Sequence, residues 1–261
     1  MWSVHGKGDS MLGVIFLSAL LLGGGDSESL LADGDQAFAR IDYAAAISCY
    51  EEALRAHQGD PEVLWRLSRV YVCEAEVAGE RAQPDLLNLA EQYARQCVAA
   101  APDRAEGHTW LAGALGYIAL RSPAGDQIKL SHELVQEVDR ALAINPRDDA
   151  AYSIKGSFYR ALGNIGWLRK KLASIFLGSV PEGGFEEAEQ ALQRAVALAP
   201  DIMRHQYELG VLYLDMGKVD DATKCLQQAS TLPVRVAIDR QRQVKIRELL
   251  QELKGSGKEG D

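Results

Sequence analysis

CVAAAPDR (97–104), ALAINPRD (141–148) and AVALAPDI (195–202) end alike, and that likeness decides the fold. In each, a small residue stands five positions before a proline: Cys97 before Pro102, Ala141 before Pro146 and Ala195 before Pro200. ALRAHQGDP (53–61) and ASTLP (229–233) are weaker copies, one with Gln58 in the proline slot and the other with its proline one residue early. A unit that recurs in this way signals a chain built by stacking one supersecondary element. YAAAISCYEEAL (43–54) and FEEAEQALQRAV (185–196) set Tyr43 and Phe185, Ala46 and Ala188, Tyr50 and Leu192, Ala53 and Ala195 at equal spacing. That rhythm is one face of a helix. LWRLSRVY (64–71), KGSFY (155–159) and LGVLY (209–213) each put a small residue, Ser68, Gly156 or Gly210, three before a tyrosine. All eight prolines fall at predicted helix boundaries, where a missing N–H and a fixed φ are tolerated.

A small residue on a first helix lets a second helix cross it closely, and large residues one turn away fill the gaps. The predicted close pairs are Gly34/Ala46, Ser68/Ala90, Ala112/Leu134, Gly156/Ala188 and Gly210/Ala222. Their separations are 12, 22, 22, 32 and 12 residues, so the middle three units carry 10, 10 and 20 extra residues between their helices. This pattern resembles the tetratricopeptide repeat over roughly residues 27–234. The resemblance implies an all-α, right-handed α-α solenoid of about five repeats with long inner helices and a C-terminal capping helix. The expected units are 27–60, 61–103, 104–147, 148–201 and 202–234, a cap at 235–254, and a disordered tail at 255–261 that has no apolar residue. Val244, Ile246, Leu249, Leu250 and Leu253 give the cap its apolar face.

HTWLAGALGYIAL (108–120), DQIKLSHELVQEVDRALAINPRD (126–148) and GNIGWLRKKLASIFLG (163–178), leading into VPEGGFEEAEQAL (180–192), are more specific. Over roughly residues 60–250 the chain resembles the regulator of microtubule dynamics family. The resemblance implies association with microtubules and spindle poles and, for a membrane-anchored branch, organelle contacts and phospholipid binding.

Residues 12–22, LGVIFLSALLL, are uncharged and are followed by Gly23, Gly24 and Gly25. The run is short for a membrane-spanning helix, which needs about 20 residues. Residues 1–26 therefore read as a signal peptide or as a short membrane anchor, which implies a periplasmic, lumenal, secreted or membrane-attached protein. A cytoplasmic protein with an unexported segment is the alternative, and Met11 is an alternative start.

The 261 residues carry 28 Lys and Arg against 37 Asp and Glu, a net charge of −9. That balance argues against a nucleic-acid partner, which requires a basic face. There is no Cys-x-x-Cys, no zinc-protease helix at His132, no phosphate loop at HGKGDS (5–10) and no dinucleotide fingerprint. The reading names no catalytic residue, no metal ligand and no cofactor. The four cysteines read as small buried side chains, with a Cys73–Cys97 bridge as the alternative in an exported protein. Sequence alone leaves the oligomeric state open.

In tetratricopeptide proteins the first helices line a concave groove. Carried over, its walls are Leu31, Asp35 and Phe38; Trp65, Arg69 and Val72; Thr109, Gly113 and Gly116; Ser153, Ser157 and Arg160; and Arg204, Tyr207, Val211 and Leu214. Small residues in the middle leave room for a ligand. Arg69, Arg160 and Arg204 offer planar forks for carboxylate or phosphate, which suits an acidic peptide, a chain terminus or a lipid headgroup. The alternative is that these arginines pair with neighbouring carboxylates. The groove reading makes the chain a non-enzymatic adaptor for a protein or peptide partner, with phospholipid binding as the runner-up. Residues 167–179 form a second candidate surface, with Trp167 and Phe176 on an apolar stripe flanked by Arg169, Lys170 and Lys171. The stripe faces either the core or a lipid surface.

Overall fold

The computed structural model describes residues 22–166 and 179–256. Among these residues there are eleven helices and no strands: α1 (Leu22–Ala39), α2 (Tyr43–Ala56), α3 (Pro61–Ala75), α4 (Gln83–Ala100), α5 (Ala105–Ala119), α6 (Ala124–Ile144), α7 (Asp149–Asn164), α8 (Phe185–Leu198), α9 (Met203–Asp215), α10 (Val219–Ser230) and α11 (Asp239–Ser256). The first ten form five successive pairs, and each pair packs on the next as a right-handed solenoid. Helices α1, α3, α5, α7 and α9 are inner, and their partners are outer. The predicted surface at Trp167, Arg169, Lys170, Lys171 and Phe176 lies outside the described residues, as do residues 1–21 and the tail from 257 onward. No described helix is long and apolar enough to cross a membrane.

Local chemistry sets the helix starts. Asp42, Asp60 and Asp148 each accept a backbone N–H of the following first turn, at 3.1, 2.8 and 2.9 Å, which satisfies one of the orphan donors there. Pro61 and Pro84 occupy first-turn positions of α3 and α4. Gly217 ends α9 with φ 72°, a left-handed conformation that glycine adopts without strain. The added residues of repeats two and three go mainly to the outer helices, α4 with 18 residues and α6 with 21. Inner helices α3, α5 and α7 have 15, 15 and 16, so length is gained less on the inner layer than the spacing implies.

The small residues do admit the partner helix, one turn further along than predicted. A Cβ at Gly34 would stand 2.4 Å from the ring of Tyr50, one at Gly156 2.4 Å from Leu192 Cγ, and one at Gly210 3.0 Å from Leu226 Cγ. The expected alanines, Ala46, Ala90, Ala188 and Ala222, are fully buried at the same crossings. A large side chain therefore seats over each glycine while the alanine closes the backbone approach. Full burial of a residue such as Leu192 contributes about 1.5–3 kcal/mol. All four cysteines are free, with Cys73 and Cys97 buried, so no bridge joins them.

Helix α11 covers the open end of the last pair. Ile246 is fully buried with Met203, Leu226 and Ala229, and Leu249, Leu250 and Leu253 pack around them. Val244, counted on that face from sequence, is 46% exposed. Between α10 and α11 the irregular segment 231–238 returns across the concave side to the first repeat. There the Ala237 N–H donates to the Tyr43 hydroxyl at 2.9 Å, and Val236 and Ala237 join the apolar cluster of the first repeats.

Candidate functional site

The concave face holds two adjoining chambers. The first, of ≈ 520 Å³, lies beneath segment 231–238 and has apolar walls from Phe38, Trp110, Ile154, Val234 and Val236. The second, of ≈ 340 Å³, is walled by Val72, Gly113, Gly116, Leu120 and Phe158. Trp110, Ile154 and Arg204 border both. Volumes of this order are typical of ligand sites.

The residues carried over from sequence divide into three sets. Arg69, Ser153 and Arg204 line the first chamber; Gly113, Gly116, Ser157, Arg160 and again Arg204 line the second. Trp65 stands outside both chambers, donating its indole N–H to Glu62 at 3.0 Å beneath the Arg66 guanidinium. Thr109 and Tyr207 are corrections. Thr109 is 1% exposed, its hydroxyl 2.6 Å from Asp148 Oδ2 inside the α5–α7 contact. Tyr207 is partly buried against the cluster of α9, α10 and α11 and lines neither chamber. In repeat three the groove face runs through Trp110, Gly113, Tyr117 and Leu120, so the stripe starts one residue later than the carried-over register.

The two middle glycines act differently. A Cβ at Gly113 would meet Ile154 Cδ1 at 3.5 Å and Trp110 Cε3 at 3.9 Å, ordinary contacts on the chamber wall, whereas one at Gly116 would press Leu134 Cδ1 at 3.2 Å. Gly113 provides space for a ligand, and Gly116 provides space for helix α6.

All three groove arginines are paired with carboxylates. Arg69 donates to Asp35 at 3.1 Å and lies 4.0 Å from the Phe38 ring centroid and 5.0 Å from that of Trp65. Asp35 also receives Arg66 Nε and the Tyr50 hydroxyl, the latter at 2.7 Å. Arg160 donates to Asp215 at 3.0 Å and stands 3.6 Å from Glu208. Arg204 lies 3.6 Å from Glu76, which is also reached by the Tyr117 hydroxyl and by Arg242 of α11 at 3.4 Å. Arg242 holds Asp239 at 2.8 Å as well. Burial works against the Arg204 charge, but Tyr117, Glu76 and Glu208 outweigh it and hold this guanidinium above the ordinary arginine range. Cys73, beside this cluster, has its thiol pushed up to about 12 by burial, with Glu76 adding to the effect.

Pairing leaves a second set of donors unused. Arg69 Nε, Arg160 Nε, Arg204 Nε, Ser153 Oγ and Ser157 Oγ are buried without a hydrogen-bond partner in the protein, as is His205 Nδ1. His205 is 2% exposed, and its Nε2 lies 2.8 Å from Asp149. Ser68 Oγ and Glu208 Oε2 share this condition, and all of these atoms lie behind the chamber walls with almost no accessible surface. Sequence reading missed Glu76, Trp110, Tyr117, His205 and Arg242. Trp110 and Tyr117 carried a signal, the seven-residue spacing of one helix face; Glu76 follows the end of α3, where periodicity stops. Among the described residues, no group of three or more His, Cys, Asp or Glu is placed to hold a metal ion.

The model of the regulator of microtubule dynamics protein 1-3 family matches residues 30–254. Regulator of microtubule dynamics protein 2 of Homo sapiens is 24% identical over 209 residues, which is 78% of this chain and 51% of that protein. Protein 2 of Bos taurus is 23% identical over 195 residues, 74% of this chain and 48% of that one. Protein 3 of Xenopus laevis is 26% identical over 191 residues, 72% and 41% respectively. The chain thus spans about half the length of the curated relatives it matches. Among solved structures, a thermophilic tetratricopeptide protein of Thermus thermophilus aligns with a TM-score of 0.64 at 23% identity, covering 86% of this chain and 99% of its own. Yeast Tom70 aligns at 0.55 with 15% identity, covering 92% of this chain and 42% of its own. These two structures share the tetratricopeptide solenoid, and the match over residues 30–254 identifies the chain as a member of the regulator of microtubule dynamics protein 1-3 family.

Proposed function

We propose that the chain is a non-enzymatic scaffold that holds an extended, acceptor-rich stretch of a partner protein in its concave groove. The observation that carries this reading is the pair of adjoining apolar chambers on the concave face, with Arg69, Ser153, Arg204, Ser157 and Arg160 along their walls. An extended peptide offers backbone carbonyls at regular intervals, and an acidic side chain or terminal carboxylate offers the strongest acceptor for an arginine edge. The Nη atoms of these arginines already hold Asp35, Glu208, Asp215 and Glu76. A bound carboxylate would therefore meet arginines whose charge is already offset, which favours a partner with few acidic groups over a densely acidic one.

Gly113 provides the test, because its missing Cβ opens onto the groove. A random peptide library displayed on phage is panned on the full chain, and the enriched peptides are measured by fluorescence anisotropy. Binding is expected to weaken at least tenfold in Gly113→Phe, with the helical circular dichroism unchanged. Equal affinity for both proteins would move the binding surface elsewhere. A phospholipid is the second reading, favoured by the continuous apolar wall of Trp110, Ile154 and Phe158. A lipid mass retained by the wild type in native mass spectrometry and lost in Gly113→Phe would replace the peptide reading. The names of the relatives put microtubules first among partners to assay. The apolar stretch 12–22 supports delivery to an export route or a membrane, and the intact mass of the protein expressed from its gene tests this.

A further inference from the structure

We propose that segment 231–238 is a strap closed over the groove, and that it must lift from the first repeat before a macromolecular partner enters. The inference rests on the groove being the binding surface. Val234 and Val236 of the segment form part of the wall of the first chamber together with Cys73 and Arg204, and Val236 shares an apolar cluster with Cys73. The strap is tied to the solenoid by few contacts, gathered at residues 235–239. At the first repeat it has a single hydrogen bond, from the Ala237 N–H to the Tyr43 hydroxyl, and the apolar packing of Val236 and Ala237. At the junction with α11, Asp239 accepts the backbone N–H groups of Arg235 and Val236 at 2.9 and 3.1 Å and holds Arg242, which reaches across the solenoid to Glu76; the exposed Arg235 side chain also donates to Asp201 at 2.6 Å. The segment stays tethered to α10 and α11 at its two chain ends. Lifting it between them breaks the Tyr43 hydrogen bond, the Asp201 pair and the packing of Val236 and Ala237, whereas the helix pairs on either side are held by whole faces.

The strap covers a built-in reporter. Cys73 is 5% exposed beneath it, and Cys97 is fully buried in the second repeat away from it. The full chain, wild type and the variants Tyr43→Phe and Arg242→Gln, is treated with N-ethylmaleimide, and labelling of each cysteine is followed by peptide mass spectrometry. A parallel series uses a maleimide bearing a long polyethylene glycol chain. Losing one hydrogen bond shifts an opening equilibrium by about five- to tenfold, so Cys73 labelling is expected to rise by that factor in Tyr43→Phe, and further in Arg242→Gln, with Cys97 unchanged. Arg242 lowers the proton affinity of the Cys73 thiol, so its removal alone would slow labelling, and any acceleration reports access. The polymer-bearing reagent is expected to reach Cys73 in both variants. Parallel acceleration of Cys97 would mean general loosening and would overturn the strap. So would an unchanged Cys73, or a Cys73 open to the small reagent and closed to the large one. None of these readouts needs a partner, so failure of the peptide reading, judged by Gly113→Phe, is separable from failure of the strap.

Discussion

Asp35 and Glu76 are the two carboxylates around which the concave face is organised, and they do similar chemistry in different surroundings. Asp35 gathers Arg66, Arg69 and the Tyr50 hydroxyl, all from its own repeat or the next, and its side chain is 40% exposed. Glu76 gathers Tyr117, Arg204 and Arg242 from the third repeat, the fifth repeat and the cap, and its side chain is 3% exposed. The comparison separates two uses of an ion pair. Near solvent it adds to a contact that other groups also make, as where Arg69 stacks on Phe38 and Trp65. Buried, it must be complete, because any member left alone is an uncompensated charge.

The largest effect expected from this difference is in Glu76→Ala. Removing the carboxylate takes the shared partner from Arg242 and the half-buried Arg204, leaving only Asp239 on the first and Glu208 near the second, at a cost of about 3 kcal/mol in urea unfolding. A loss below about 1 kcal/mol would show that water reaches the cluster and would erase the distinction. Replacing Glu76, Arg204 and Arg242 together by apolar residues of similar volume is expected to recover most of that loss. Asp35→Ala comes next, at about 1 kcal/mol, since two exposed pairs and one hydrogen bond are removed while the aromatic stacking stays. Its effect should shrink in molar salt, where the screening length is about 3 Å, whereas that of Glu76→Ala should persist. A third carboxylate, Asp148, sharpens the contrast with the smallest effect. Burial holds its acid form stable above the ordinary carboxylate range, against opposing hydrogen bonds from Thr109 and Ala151. The folded state therefore binds this proton more tightly than the unfolded chain does. The associated stability is present at low pH and is lost as pH rises through the folded value. Thermal melts from pH 3.5 to 7 should show a smaller decline in Asp148→Asn than in the wild type, since Asn still caps α7. An identical decline would assign the slope to other groups.

The same pair of carboxylates shows what could be read from the sequence. Asp35 lies inside a helical stripe, four residues beyond Leu31 and three before Phe38, and the groove positions carried over from the repeat resemblance include it. Glu76 follows α3 and meets Arg242, 166 positions away; no local rhythm encodes that meeting, because it depends on the accumulated rotation of four successive pairs. Errors within the repeats were smaller and had one cause. Spacing reveals which face of a helix is buried, but not how far two faces slide against each other. Hence Tyr50, Leu192 and Leu226 seat over the glycines one turn beyond the expected alanines, and the groove stripe of α5 begins at Trp110 and not at Thr109. Helix existence, order and pairing were legible because proline placement and apolar period agree at each unit.

The contact between Ala237 and Tyr43 also alters how the molecule comes together. A stack of repeats is ordinarily a linear array in which each unit depends only on its neighbours, and one end is indifferent to the other. Here the last connection is also a neighbour of the first unit, 194 residues back along the chain. During synthesis the first repeat would leave the ribosome long before the residues that cover it, and its apolar edge would wait for the C-terminus. Truncation after α10 is therefore expected to expose the beginning of the chain as well as its end, and unfolding should proceed as one transition where a linear array would fray.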